Sequence, residues 1–114
     1  MDRLAQAFDA EWRLAEAARR AGHFDRAFHH LERAHILGQR RTWRHVKSHL
    51  GMLRVGWQRR DRREIRGQLL RIAAAAVFSR IWVPVGNTGG ANVSPTLPMD
   101  VPPDLRALLG QPIE

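Results

Sequence analysis

The sequence predicts an all-α protein, an antiparallel four-helix bundle or two helical hairpins, continued by an irregular Pro/Gly-rich C-terminal strap and a short final helix. Three observations carry that expectation. Apolar residues recur at three- and four-residue intervals through most of the first 82 positions, the period of a helix and not of a strand. Turn and capping residues interrupt the pattern at three places. From position 83 onward Pro84, Gly86, Gly89, Gly90, Pro95, Pro98, Pro102 and Pro103 forbid regular structure until the chain nears its end.

The first helix is expected over residues 3–21, with Leu4, Phe8, Leu14, Ala15 and Ala18 on one face and Gly22 ending it. Asp25 then reads as the N-cap of a second helix over 25–37, in which Phe28, Leu31, Ala34 and Leu37 face inward before Gly38. Thr42 can cap a third, over 42–58, carrying Val46, Leu50, Leu53 and Trp57. Asp61 with Glu64 three residues on resembles a capping box and opens a fourth, over 62–80, with Ile65, Leu69, Ile72, Ala76 and Phe78. Short turns between the four imply antiparallel neighbours. The strap, residues 83–102, scatters Val83, Val85, Val93, Leu97, Met99 and Val101 among its turns, a pattern expected of a segment lying ordered across the bundle. A short helix over 103–109, ended by Gly110, completes a single domain spanning 1–114.

Composition narrows the possible chemistry. Without cysteine there are no disulfides and no thiolate ligands, so any bound metal must sit on nitrogen and oxygen donors. The amino terminus lacks the pattern of a secretory signal, and the most apolar run, Ile72 to Phe78, is bracketed by Arg71 and Arg80. That run is too short to span a bilayer and reads as a buried helix end. A cytoplasmic protein is expected. The formal net charge of +8 favours an acidic protein partner, and less so nucleic acid, because the arginines are spread around the helices instead of gathered in one stripe. Oligomeric state has no signature in the sequence.

All six histidines fall between His23 and His49, the most uneven feature of the chain. Glu32 and His35 are three apart on the second helix, with His35 in the stripe of Phe28 and Leu31; His45 and His49 are one turn apart on the third, with His49 in the stripe of Val46 and Leu53. Glu11 lies inward between Phe8 and Ala15, and Glu64 and Gln68 are one turn apart on the fourth helix. Four helices aiming imidazoles and carboxylates at one core is the way bundles build metal sites. The Glu-x-x-His pair occurs once, where a dimetal centre uses it twice, so the expectation is one divalent transition metal (Zn, Fe, Mn, Ni or Cu) held by His35, His49, His45 and Glu32 or Glu11, with Glu64 and Gln68 as further candidates. His23, His29 and His30 are expected at a turn or on a wet face. The opposing possibility is a set of core hydrogen bonds, with Glu64 acting as the partner of the Asp61 cap.

Other chemistries find little support. Gly86-Asn87-Thr88-Gly89-Gly90 lacks the ending of a phosphate-binding loop and follows no strand, so no nucleotide is expected. Neither a cysteine nucleophile nor a Gly-x-Ser-x-Gly elbow is present. No catalytic residue is named.

Ala15 to Phe28 reads like the middle of a tetratricopeptide repeat, and Trp57 to Glu64 repeats its turn and cap with charge in place of Ala27 and Phe28. That likeness implies a protein-interaction module with a groove lined by Arg and by Trp12, Trp43 and Trp57. Leu31-Glu32-Arg33-Ala34-His35-Ile36-Leu37-Gly38-Gln39, His45, His49, Met52-Leu53-Arg54, Gly67-Gln68 and Pro84 to Ser94 resemble an uncharacterised family of short bacterial helical proteins, known as a domain of unknown function. This resemblance implies a common fold and no particular activity.

Overall fold

A computed structural model describes residues 2–78 and 84–110. Arg80 and Val83, at the expected end of helix four and start of the strap, lie outside the described residues, as do 111–114. Five helices follow one another: α1 (Arg3–Arg20), α2 (Phe24–Gly38), α3 (Thr42–Arg59), α4 (Arg62–Phe78) and α5 (Pro103–Leu109). Among the described residues 72% are helical and none is in a strand. The helices pack chiefly as α1 with α2, α2 with α3 and α3 with α4.

The ends have local causes. The Asp2 carboxylate accepts from the Ala5 amide at 2.7 Å and caps α1. At the other end Gly22 has positive φ, and the His23 amide returns to the Ala18 carbonyl at 2.9 Å. Asp25 is not the cap of α2: the helix opens one residue before it, after His23, and Asp25 sits in the first turn, where its charge complements the helix dipole. Thr42 likewise begins α3 after Arg41 and does not cap it. Arg60 closes α3 in the left-handed conformation, with the Asp61 amide reaching the Gly56 carbonyl at 2.9 Å. Asp61 then accepts from the Glu64 amide at 3.1 Å, the expected cap of α4.

One apolar cluster joins Ala15, Ala18, Ala27, Leu31, Met52 and Val55, with Trp12, Phe24 and Phe28 against it. A second joins Ile36 and Leu37 to Val101 and Leu105, tying α2 to the end of the strap and to α5. Gly51 lets α3 approach this closely, because a Cβ there would lie 2.6 Å from Leu31 and 2.9 Å from Trp12. Trp12 is thus partly buried against the core, with the Lys47 ammonium 4.5 Å above its ring, while Trp43 and Trp57 are exposed.

The inward faces of α3 and α4 differ from their apolar stripes. α3 buries His45, Ser48, His49, Gly51, Met52, Val55 and Gly56, leaving Leu50 and Trp57 exposed; α4 buries Glu64, Gln68 and Ala75, leaving Leu69, Ala76, Val77 and Phe78 exposed. Leu14 on α1 is exposed as well. Of the expected buried end of helix four, Ala75 is inside and Ile72 half-buried, and the other residues from 73 to 78 are on the surface. A polar network explains the rotation: burying these side chains satisfies one another's hydrogen bonds, and the alternative would leave them unpaired under the strap.

The described strap is built into that network. Gln39 holds its entry, donating to the Pro84 carbonyl at 3.0 Å and accepting from the Gly86 amide at 3.2 Å. Asn87 is almost fully buried; its amide donates to the carbonyls of Ser94 (2.6 Å) and Leu97 (2.8 Å), and its oxygen accepts from the Gly89 amide (2.9 Å).

Candidate metal centre

His35 on α2 and His45 and His49 on α3 meet in the space between α2, α3, α4 and the strap. Each is less than a tenth exposed. Their rings make a mutual triangle with centroids 4.6 to 5.0 Å apart, and one ligand atom from each lies within 4.8 Å of the other two. The Nε2 atoms of His35 and His45 are 3.1 Å apart. Two nitrogens bound tetrahedrally to one metal at ~2.05 Å would lie roughly 3.3 Å apart.

The outer nitrogens fix how the rings present themselves. His35 Nδ1–H donates to the Asn87 carbonyl at 2.7 Å, so the neutral ring turns a bare Nε2 toward the triangle. His49 Nδ1–H donates to Gln68 Oε1 at 2.6 Å, with the same consequence. The orientation of the Gln68 amide follows from its other neighbours: Nε2 donates to Glu64 Oε2 at 2.6 Å and to the Gly89 carbonyl at 2.9 Å, both acceptors only. Orienting partners of this kind are what metal-binding histidines carry on their second nitrogen.

His45 is different. Its Nδ1 is buried with no partner in hydrogen-bond geometry among the described residues, although the Gln39 backbone acts on it. A neutral ring has one N–H. Donating from Nε2 to His35 leaves Nδ1 bare, and donating from Nδ1 leaves two Nε2 lone pairs facing each other at 3.1 Å. A metal ion between the Nε2 atoms removes that conflict.

Burial keeps all three rings neutral. It lowers the His35 pKa well below the usual histidine value, reinforced by the neighbouring His49 and His45. His45 is lowered to about 4 and His49 to about 3, again chiefly by burial. Neutral imidazole is the ligand form.

Gly89 closes the site from the strap. Its φ is +84°, and a Cβ there would stand 2.6 Å from the His35 ring. Gly89→Ala is expected to destabilise the protein by about 2 kcal/mol or more, from the left-handed backbone and the ring it would displace. An unchanged urea midpoint would show that the loop is not seated on His35.

A cavity of about 420 Å³ opens on the triad, lined also by Arg71, Asn87, Gly89 and apolar side chains of α4 and the strap.

The other expected ligands lie elsewhere. Glu11 is turned to the α1–α2 seam, where it pairs with His30 Nδ1 and Arg33 Nε, each at 2.7 Å; a basic pair across the helices satisfies it. Glu32 is partly buried beside Thr88, and burial raises its pKa. Glu64 is buried, but its carboxylate accepts from Gln68 and from the Ala91 amide at 3.0 Å instead of joining the triangle or returning to the Asp61 amide. Gln68 supports His49 from outside. His23 and His29 are exposed, and His30 belongs to the Glu11 pair. Asn87 and Arg71 were not singled out as site residues from the sequence; the one signal was an asparagine inside a glycine-rich turn, the other an arginine at the edge of an apolar run.

No helix among the described residues is long and apolar enough to cross a membrane. No curated protein and no solved structure matches the chain. The segments that carry the resemblance, Leu31 to Ser94, fall within a family match covering residues 2–109, and the chain belongs to that uncharacterised family, described as "Protein of unknown function (DUF3703)".

Proposed function

We propose that the protein binds one divalent transition metal ion through Nε2 of His35, His45 and His49. The observation that carries this is the convergence of three neutral imidazoles, two of them locked by hydrogen bonds that leave Nε2 bare, in a core where the third has no satisfactory tautomer. Three imidazoles without a carboxylate suit Zn, Cu, Ni or Fe better than Mn. The fourth coordination position faces the cavity, the arrangement of metals that bind a further small ligand. Glu11, Glu32 and Glu64 are outside this ligand set, and Gln68 and the Asn87 carbonyl orient it.

Competition with a chromophoric chelator tests the reading. The wild-type chain is expected to hold one zinc ion. His35→Ala, His45→Ala and His49→Ala should each weaken binding by about 100-fold or more, while His23→Ala and His29→Ala leave it unchanged. Wild-type affinity in all three core variants would mean that the triangle is only a set of core hydrogen bonds.

A further inference from the structure

We propose that the cavity above the triad takes a small carboxylic acid with an apolar body, its carboxylate held by the metal and by Arg71; this rests on the metal reading above. Arg71 lines the same cavity, close enough for its charge to act on His35 and His49. Its guanidinium is pinned by two carbonyls, Nη1 to Gly67 at 3.1 Å and Nη2 to Val93 at 2.9 Å. Among the described residues Nε is buried with no hydrogen-bond partner and no carboxylate forms an ion pair with Arg71, although the charge of Glu64 acts on it.

The charge is thus one-sided. No aspartate or glutamate among the described residues lines the cavity, where the proposed metal and a guanidinium would both stand. Arg71 is half-buried and Glu64 is the acidic group that acts on it from outside the lining, so an anionic ligand in the cavity adds the counter-charge that the lining itself lacks. The ligand's body is set by the remaining walls, which apart from Thr96 are apolar: Leu70, Ala74, Ala75, Phe78, Pro84 and Pro95.

The donor inventory selects a carboxylate over a phosphate. Both Asn87 amide hydrogens are engaged by strap carbonyls, so Arg71 Nε is the one buried side-chain nitrogen of the lining, besides the histidines, without an acceptor among the described residues. A carboxylate can meet the metal position with one oxygen and Arg71 Nε with the other, whereas the additional oxygens of a phosphate would lie against walls that are mostly apolar. The volume of about 420 Å³ has room for roughly ten to fourteen non-hydrogen atoms at the ~30 Å³ that a liquid water molecule occupies.

The test uses the zinc-loaded full chain, its metal content measured first, and titrates it calorimetrically with acetate, butanoate, hexanoate and hexan-1-ol. Affinity should tighten roughly fourfold per methylene, and hexanoate should bind at least about tenfold tighter than the alcohol. Hexanoate should also alter the visible spectrum of the cobalt-substituted protein. Arg71→Gln should keep its metal, lose about tenfold or more for hexanoate and bind the alcohol as before. One metal per chain with no chain-length or charge preference overturns this inference and leaves the metal reading standing; a chain that holds no metal overturns both. If Arg71→Gln does not fold, the comparison of acids with the alcohol on the wild type decides the matter alone.

Discussion

Zinc added to the metal-free protein is expected to raise its unfolding midpoint by about 15 °C. An ion bound only by the folded chain stabilises it by about 4 kcal/mol when free metal is a thousandfold above the dissociation constant. For a chain of this length each kcal/mol moves the midpoint by roughly 4 °C. The ligands come from α2 and α3, ten to fourteen residues apart, and their orienting partners from α4 and the strap, so the assembled site does not survive unfolding. Magnesium and calcium, which prefer oxygen donors, should have no comparable effect. Differential scanning calorimetry decides this: an unchanged midpoint, or an equal rise in His49→Ala, contradicts the site.

The metal-free protein should lose stability steeply between pH 6.5 and pH 4. Above 6.5 the three core histidines are neutral in both folded and unfolded chains, and they add no pH dependence. Below it the unfolded chain takes up protons that the folded core refuses, because burial lowers His45 to about 4 and His49 to about 3, with His35 shifted the same way. At pH 5 His45 and His49 have each crossed about 1.5 pH units without protonating in the folded state, a loss of about 2 kcal/mol per residue, and His35 adds to it in the same direction. The loss levels off once pH passes below each folded-state value. Glu32 works in the opposite direction, since burial raises its pKa and favours the protonated folded form. Glu16, held low by its hydrogen bond to Arg19, adds to the loss only in more acidic solution. Urea unfolding at pH 7 and pH 5 measures the difference. Equal stability at the two values would show that the triad is open to protons and not sealed in the core.

Much of the fold was legible because its punctuation is local. Gly22, Gly110 and the Asp61 cap act within a turn or two of where they stand, and helical periodicity does the rest. His35 and His49 were legible as inward residues for the same reason, since each sits one turn from apolar neighbours. Glu11 was misread because its partners, His30 and Arg33, are on another helix, at a separation no intrahelical spacing reveals. The stripe of Leu50, Leu53 and Trp57 misled in a different way. Amphipathicity reports which residues are apolar, whereas the buried face of α3 is set by a network whose members, Gln68 and Asn87, lie 19 and 52 residues from the histidines they hold. The tautomer conflict at His45 is likewise a property of assembled geometry.

X-ray absorption at the metal edge of the zinc-loaded protein is the most direct test of the central claim. The account predicts three imidazole nitrogens at ~2.0 to 2.1 Å, with the outer-ring scattering that identifies histidine, and one further light atom from the cavity side. A shell of oxygens without imidazole scattering, or a single histidine among carboxylates, would place the ion elsewhere and contradict a centre built on His35, His45 and His49.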